Sequence, residues 1–193
     1  TYTPEPRNVI GGTGQIGTNS FFNGSMDEIR VYNRAISLCE IQYLAGIQTA
    51  PTNGLIAYFP FTGNAADSSG LGNNGVPTNG ASLTTDRFNV PNRAYAFDGV
   101  DDYINIPTYT NMSPTNAVSV AAWIKGSVTG KNAYVFDRLE INDGYGLLFT
   151  STGNLRLTIN GGQSWATSSQ AVADNQWHHV VGTYYMGIGI INL

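Results

Sequence analysis

Residues 22–44 read FNGSMDEIRVYNRAISLCEIQYL, and two periodicities meet within them. From Ser25 to Asn33 the side chains alternate. Asp27, Ile29 and Val31 fall on one face, and Met26, Glu28, Arg30 and Tyr32 on the other, which is the period of a strand. Asn33 ends that pattern. Ser37-Leu38-Cys39-Glu40 then has the spacing of a capping box, in which a Ser hydroxyl and a Glu carboxylate satisfy each other's backbone N–H groups. Ile41, Leu44 and Ala45 give the next turns one apolar side, and Gly46 stops them. A helix of about two turns cannot hold itself in water, so it has to pack on a sheet.

Outward from this stretch, strand signals dominate. Gly46 to Gly54 (GIQTAPTNG) reads as a linker, with 47–53 as its body. Leu55–Thr62 is apolar on both faces, and Pro60 marks an edge or a bulge. Further strands are predicted over 93–97, 102–106, 117–125, 133–137, 145–150, 155–160 and 176–185. In the 117–125 run Val118, Val120, Ala122 and Ile124 alternate with Ser119, Ala121 and Trp123. Gly, Asn, Asp or Pro separates nearly every pair, at the spacing of a β-sandwich.

Composition agrees. The 193 residues fit one ordinary domain or two small ones, and 41% hydrophobic residues suffice for a core. Only 11% is charged, under half the usual ~25% for soluble domains. Gly, Asn, Thr and Ser supply 75 residues instead, which disfavours a helical bundle, a coiled coil or an α/β enzyme. The net charge is -4 with no basic patch, so nucleic acid is not an expected partner. Cys39 is the only cysteine, which excludes an internal disulfide and a cysteine-based zinc site. No apolar run approaches the ~20 residues of a membrane helix, so no membrane insertion is expected. The chain starts without Met or a signal-peptide pattern and stops inside the apolar run 187–193, so both ends read as cuts. Low charge with many Asn, Thr and Gly suits a secreted or cell-surface bacterial β protein.

Residues 22–44 resemble the closing segment of laminin G-like jelly-roll domains, in the concanavalin A-like lectin/glucanase superfamily. Gly54–Gly75 (GLIAYFPFTGNAADSSGLGNNG) resembles that family's opening segment. Arg93–Ile104, Val118–Ile124 and Trp177–Tyr184 are similar to its successive inner strands, in family order. The resemblance implies an all-β, two-sheet antiparallel jelly-roll sandwich with one short helix. The order is reversed at the start, with the closing segment ahead of the opening one. The expectation is that 1–46 finish one repeat and 54–193 begin the next, truncated at the C-terminus. Residues 1–46 are expected to pack on 54–193 as in a circular permutation, because an unfinished sandwich exposes strand edges.

The candidate chemistry is sparse. His178 and His179 are adjacent on a strand, point to opposite faces and cannot share a metal. Glycoside hydrolysis needs two carboxyl groups on one face, and no i, i+2 carboxylate pair occurs. Asp98-Gly99-Val100-Asp101-Asp102 reads first as a hairpin turn, with a second ion site as the other option. The loop 67–75 (DSSGLGNNG) has the oxygen-rich, flexible character that calcium takes, without an EF-hand register. The resemblance implies a structural calcium there, with Asp67, Gly70, Asn73 and Gly75 from the loop and Asp27 from the closing strand. The other reading of Asp67 and Asn73 is turn capping. Trp123 and Trp177, inside apolar strands, are expected in the core. Trp165, after a Gly-Gly turn, is the candidate exposed platform for a sugar ring, with Tyr145, Tyr109 and Asn142 as contributors. The expected function is a noncatalytic binding or adhesion module for carbohydrate or an extracellular protein, working beside neighbouring domains of a parent chain. A glycoside hydrolase fragment and a ligand-free spacer are the alternatives.

Overall fold

The strand β2 (Asn23–Tyr32) organises the molecule, because it is paired along both edges. The fold is described from a computed structural model, over residues 8–13, 20–46, 50–107, 112–114, 116–128, 130–140, 143–185 and 188–193. Before β2 lies β1 (Asn8–Ile10), and after it α1 (Leu38–Ala45). There follow β3 (Leu55–Phe59), β4 (Val76–Thr78), β5 (Ser82–Thr84), β6 (Ala94–Asp98), β7 (Tyr103–Ile106) and β8 (Ala117–Ser127). The chain continues through β9 (Ala133–Glu140), β10 (Asp143–Phe149), β11 (Asn154–Ile159), β12 (Ser164–Ala171), β13 (His178–Tyr185) and β14 (Ile188–Asn192). All pairings between these strands are antiparallel.

Two sheets result. Sheet A runs β12-β11-β10-β9-β1-β7-β4, and sheet B runs β14-β13-β8-β2-β6-β5, with β3 on the same edge of β2 as β6. Thus β1 sits between β9 and β7 in sheet A, and β2 sits beside β8 in sheet B. This is a jelly-roll sandwich with a single short helix among the described residues. The expected strands are present. β1, β4, β5, β12 and β14 are additional: three are only three residues long, and β12 and β14 alternate too weakly to register as strands. The centre of the expected linker, 47–49, lies outside the described residues.

The alternation read for β2 is corrected. A register shift between Asp27 and Arg30 places Glu28 at φ 55 and adds a residue to the strand. Met26, Ile29 and Val31 therefore all enter the core, while Tyr32 joins the cluster under the helix. Phe22, just ahead of β2, stacks on Phe149 of sheet A (5.4 Å) and meets Phe97 of sheet B edge-on (6.2 Å), so one ring joins the two layers.

The helix forms as expected. Ser37 Oγ accepts from Glu40 N–H (3.3 Å), and Ser37 N–H donates to Glu40 Oε2 (2.8 Å). Ile41 and Leu44 pack with Ile36 on Tyr32, Ala121 and Val181, on the outer face of sheet B. Ser119 Oγ fastens the approach to the helix by accepting from Ile36 N–H (3.1 Å) and donating to the Arg34 carbonyl (2.9 Å). Among the described residues no helix is long and apolar enough to cross a membrane.

Candidate functional site

The loop 67–75 is closed by its own polar groups. Asp67 Oδ1 accepts the backbone N–H of Tyr58 and of Ser69, each at 2.9 Å. Asp67 Oδ2 accepts the Ser69 hydroxyl (2.8 Å) and the Asn73 N–H (2.9 Å). A carboxylate has about four acceptor positions, and here each is taken. Gly70 turns the loop at φ 89, and Gly75 N–H donates to the Ala65 carbonyl (2.9 Å). Asn73 is buried, with Nδ2 donating to the Ile56 carbonyl (2.7 Å). Its Oδ1 has no hydrogen-bond partner among the described residues. Even with the backbone carbonyls of Gly70 and Gly75, three oxygens fall short of the six to eight calcium takes. Asp27, the fifth expected ligand, turns its carboxylate to Arg87 instead. The donor set does not fit the calcium that the resemblance implies, and the loop's polar groups act as turn caps.

Asp98, Asp101 and Asp102 also serve a turn. Asp98 Oδ1 accepts from Val100 N–H (2.8 Å), and Asp102 Oδ2 accepts from Asp98 N–H (3.0 Å).

The expected sugar-binding residues separate. Trp165 is 61% exposed on the edge strand β12, with the Arg156 guanidinium 5.6 Å from its ring centroid. Tyr145 is buried, stacked on Phe136 (5.7 Å), and its hydroxyl donates to the Met112 carbonyl (3.1 Å). Burial pushes its pKa upward. It is a core residue rather than an exposed platform, because its inward position on β10 overrides the polarity of its hydroxyl. Tyr109 and Asn142 lie outside the described residues.

Tyr145 nevertheless backs a cleft. Between the ends of the two sheets, a cavity of about 270 Å³ is bounded by Arg138, Asp143, Gly144 and Tyr145 of sheet A, by Val118 and Tyr184 of sheet B, and by Ser113 and Asn160. Arg138 is paired across the ladder with Tyr145 and is only 6% exposed. Its Nη2 donates to Ser113 Oγ (2.5 Å), and its Nη1 lies 3.9 Å from the exposed carboxylate of Asp143. Gly144, at φ 82, allows this: a Cβ there would sit 1.8 Å from the Arg138 carbonyl oxygen. The cleft thus combines a buried guanidinium, an amide, a carboxylate and the tyrosine Tyr184 around one space.

A second polar cluster lies on the outer face of sheet B. Asp27 pairs with Arg87, whose guanidinium also lies over the rings of Trp123 (4.7 Å) and Phe88 (4.5 Å). Burial outweighs Arg87 and pushes the Asp27 carboxyl up to about 7. His179 lies against Trp123 (5.3 Å), and burial, aided by Arg30 and Arg87, pushes it down to about 4. His178, on the opposite face, meets Asp174 at 2.8 Å. Trp123 and Trp177 are half-buried beside this cluster rather than in the core between the sheets. For Trp123 the signal was present, since Ser119 and Ala121 share its face.

The comparisons bear on the C-terminal half. A family model described as Concanavalin A-like lectin/glucanases superfamily, of the laminin G type, matches residues 98–192. No curated protein and no solved structure matches the chain. The matched segment contains every residue named around the cleft, while β1 and β2 lie outside it and complete the sheets. Residues 98–192 are therefore similar to the laminin G-like domains of the concanavalin A-like lectin/glucanase superfamily.

Proposed function

We propose that the protein is a noncatalytic binding module that holds the end of a saccharide in the cleft between the sheet ends. Laminin G-like domains are often binding modules, typically extracellular, although their superfamily includes glycoside hydrolases. The observation that carries the reading is the grouping of Arg138, Asn160, Asp143 and Tyr184 around one cavity inside the family-matched segment. Sugar hydroxyls both donate and accept, so they suit a guanidinium, an amide and a carboxylate together, and a tyrosine ring suits an apolar sugar face. Trp165 with Arg156 forms an exposed platform on another strand and extends the same reading. A secreted or surface setting, beside other domains, follows from this role. The reversed order of the family-like segments supports a permuted reading of the chain.

The test is titration calorimetry against neutral and uronate-containing oligosaccharides, with Tyr184→Ala, Trp165→Ala and the unaltered protein. Binding of a uronate-containing oligosaccharide, beside the Arg138 guanidinium, that is lost in Tyr184→Ala with the circular dichroism spectrum kept is the expected result. Release of reducing sugar from polysaccharide would favour a hydrolase, and no binding at all would favour a spacer.

A further inference from the structure

We propose that the outer face of sheet B carries a second ligand site, a groove that takes a neutral oligosaccharide. Two cavities, of about 470 and 320 Å³, meet at Gly46 and Arg87 and share no lining residue with the cleft. The first is walled by Tyr43 and Tyr58, the second by Phe88, Trp123 and Trp177. Phe88 and Tyr43 are 59% and 45% exposed, so flat apolar faces stand open to solvent.

Two ion pairs border the groove. Asp27 pairs with Arg87, and Glu28 with Arg30. Glu28 also accepts from the Tyr58 hydroxyl (3.1 Å), and the Arg30 guanidinium lies 4.0 Å from the Tyr58 ring centroid. Above about pH 7, where Asp27 is ionised, the charges cancel, so the surface offers an ionic ligand no uncompensated partner. It offers instead carboxylates that only accept beside guanidiniums that only donate. A hydroxyl does both, and a pyranose has hydroxyls around its rim and C–H faces that lie on aromatic rings. Two joined cavities suit a chain of sugars rather than one.

The bulge at Glu28 fits this placement. A non-glycine residue at φ 55 is a strained feature of the kind that collects at binding sites, and here it puts Glu28 beside Tyr58. The Nε–H of Arg30 and the Nε1–H of Trp123 have no hydrogen-bond partner among the described residues, and both belong to residues lining the groove. Acceptor oxygens from a ligand would answer that deficit.

The experiment uses the whole chain and short neutral glucan, xylan and mannan oligosaccharides, read by calorimetry and tryptophan fluorescence. At least one should bind, shift the fluorescence, and bind about tenfold more weakly to Phe88→Ala. Trp177→Ala should weaken it comparably, and Tyr184→Ala, in the separate cleft, should leave this binding unchanged. Loss with Tyr184→Ala but not with the groove variants would overturn the second site and leave the cleft reading standing. Failure of every neutral oligosaccharide to bind, or Phe88-dependent binding of peptides instead, would also overturn it.

Discussion

Asp27 and Arg87 stand 60 positions apart in the chain and form an ion pair on the outer face of sheet B, against the ring of Trp123. Burial holds Asp27 near 7, whereas an exposed Asp titrates at 3.8. Between these values the folded chain keeps a proton that the unfolded chain has lost, so this group lowers stability as pH rises from about 4 to 7. His179 acts in the opposite sense. Its folded value near 4 lies below the unfolded 6.5, so its contribution raises stability as pH rises from about 4 to 6.5. The two offset each other across that window. Urea midpoints of His179→Gln should fall from pH 4 to 7, and those of Asp27→Asn should rise from pH 4 to 6.5. Parallel pH profiles in the two variants would refute the assignment.

Removing the N-terminal strands should abolish folding. A chain beginning at residue 50 lacks β2, which pairs with β3, β6 and β8, and lacks Phe22, which joins the sheets. Circular dichroism should show loss of the β spectrum. The milder Phe22→Ala should cost about 3–5 kcal/mol in a denaturant titration.

The capping box gives a smaller, separable effect. Ser37→Ala should cost about 1 kcal/mol. The ion pair with Arg34, aided by Ser37, holds Glu40 down to about 2. The stability from Glu40 is therefore full above 4.5 and lost as pH falls from 4.5 to 2. Glu40→Gln should flatten that acid limb.

Asp67→Ala should destabilise the loop 67–75 by about 1–3 kcal/mol, because the N–H groups of Tyr58, Ser69 and Asn73 lose their common acceptor. Millimolar calcium should leave the melting temperature of the unaltered protein unchanged. A clear upward shift that Asp67→Ala removes would reinstate the ion.

Much of the fold was legible because it rests on local rules. The Ser37–Glu40 spacing specifies the cap, and the alternation of Val118 to Ile124 specifies the inward face of β8. The β2 bulge was not legible: nothing in Met-Asp-Glu-Ile announces a residue at positive φ, which arises from pairing with β8 on one edge and with β3 and β6 on the other. The sites were harder. Arg87 and Arg138 belong to no motif and Tyr184 only ends a family-like strand, and tertiary pairing brings them beside Asp27, Tyr145 and Val118. Tyr145 shows the converse, since a polar-tipped aromatic near a turn looks like a ligand platform until its neighbours bury it.

The placement of β2 also governs the order of assembly. Asn23 bonds to Ser127 across 104 positions, and the same strand edge runs along β8 to Tyr32. One edge of this early strand stays open until the chain has been made well past its middle. Closing so long a loop is slow, and folding should be correspondingly slow for the chain's size. During synthesis the Ile29–Phe59 pairing with β3 can protect the other edge, and the helix can cover the outer face. The exposed flank facing the absent β8 is then where a chaperone, or another nascent copy, would find its hold.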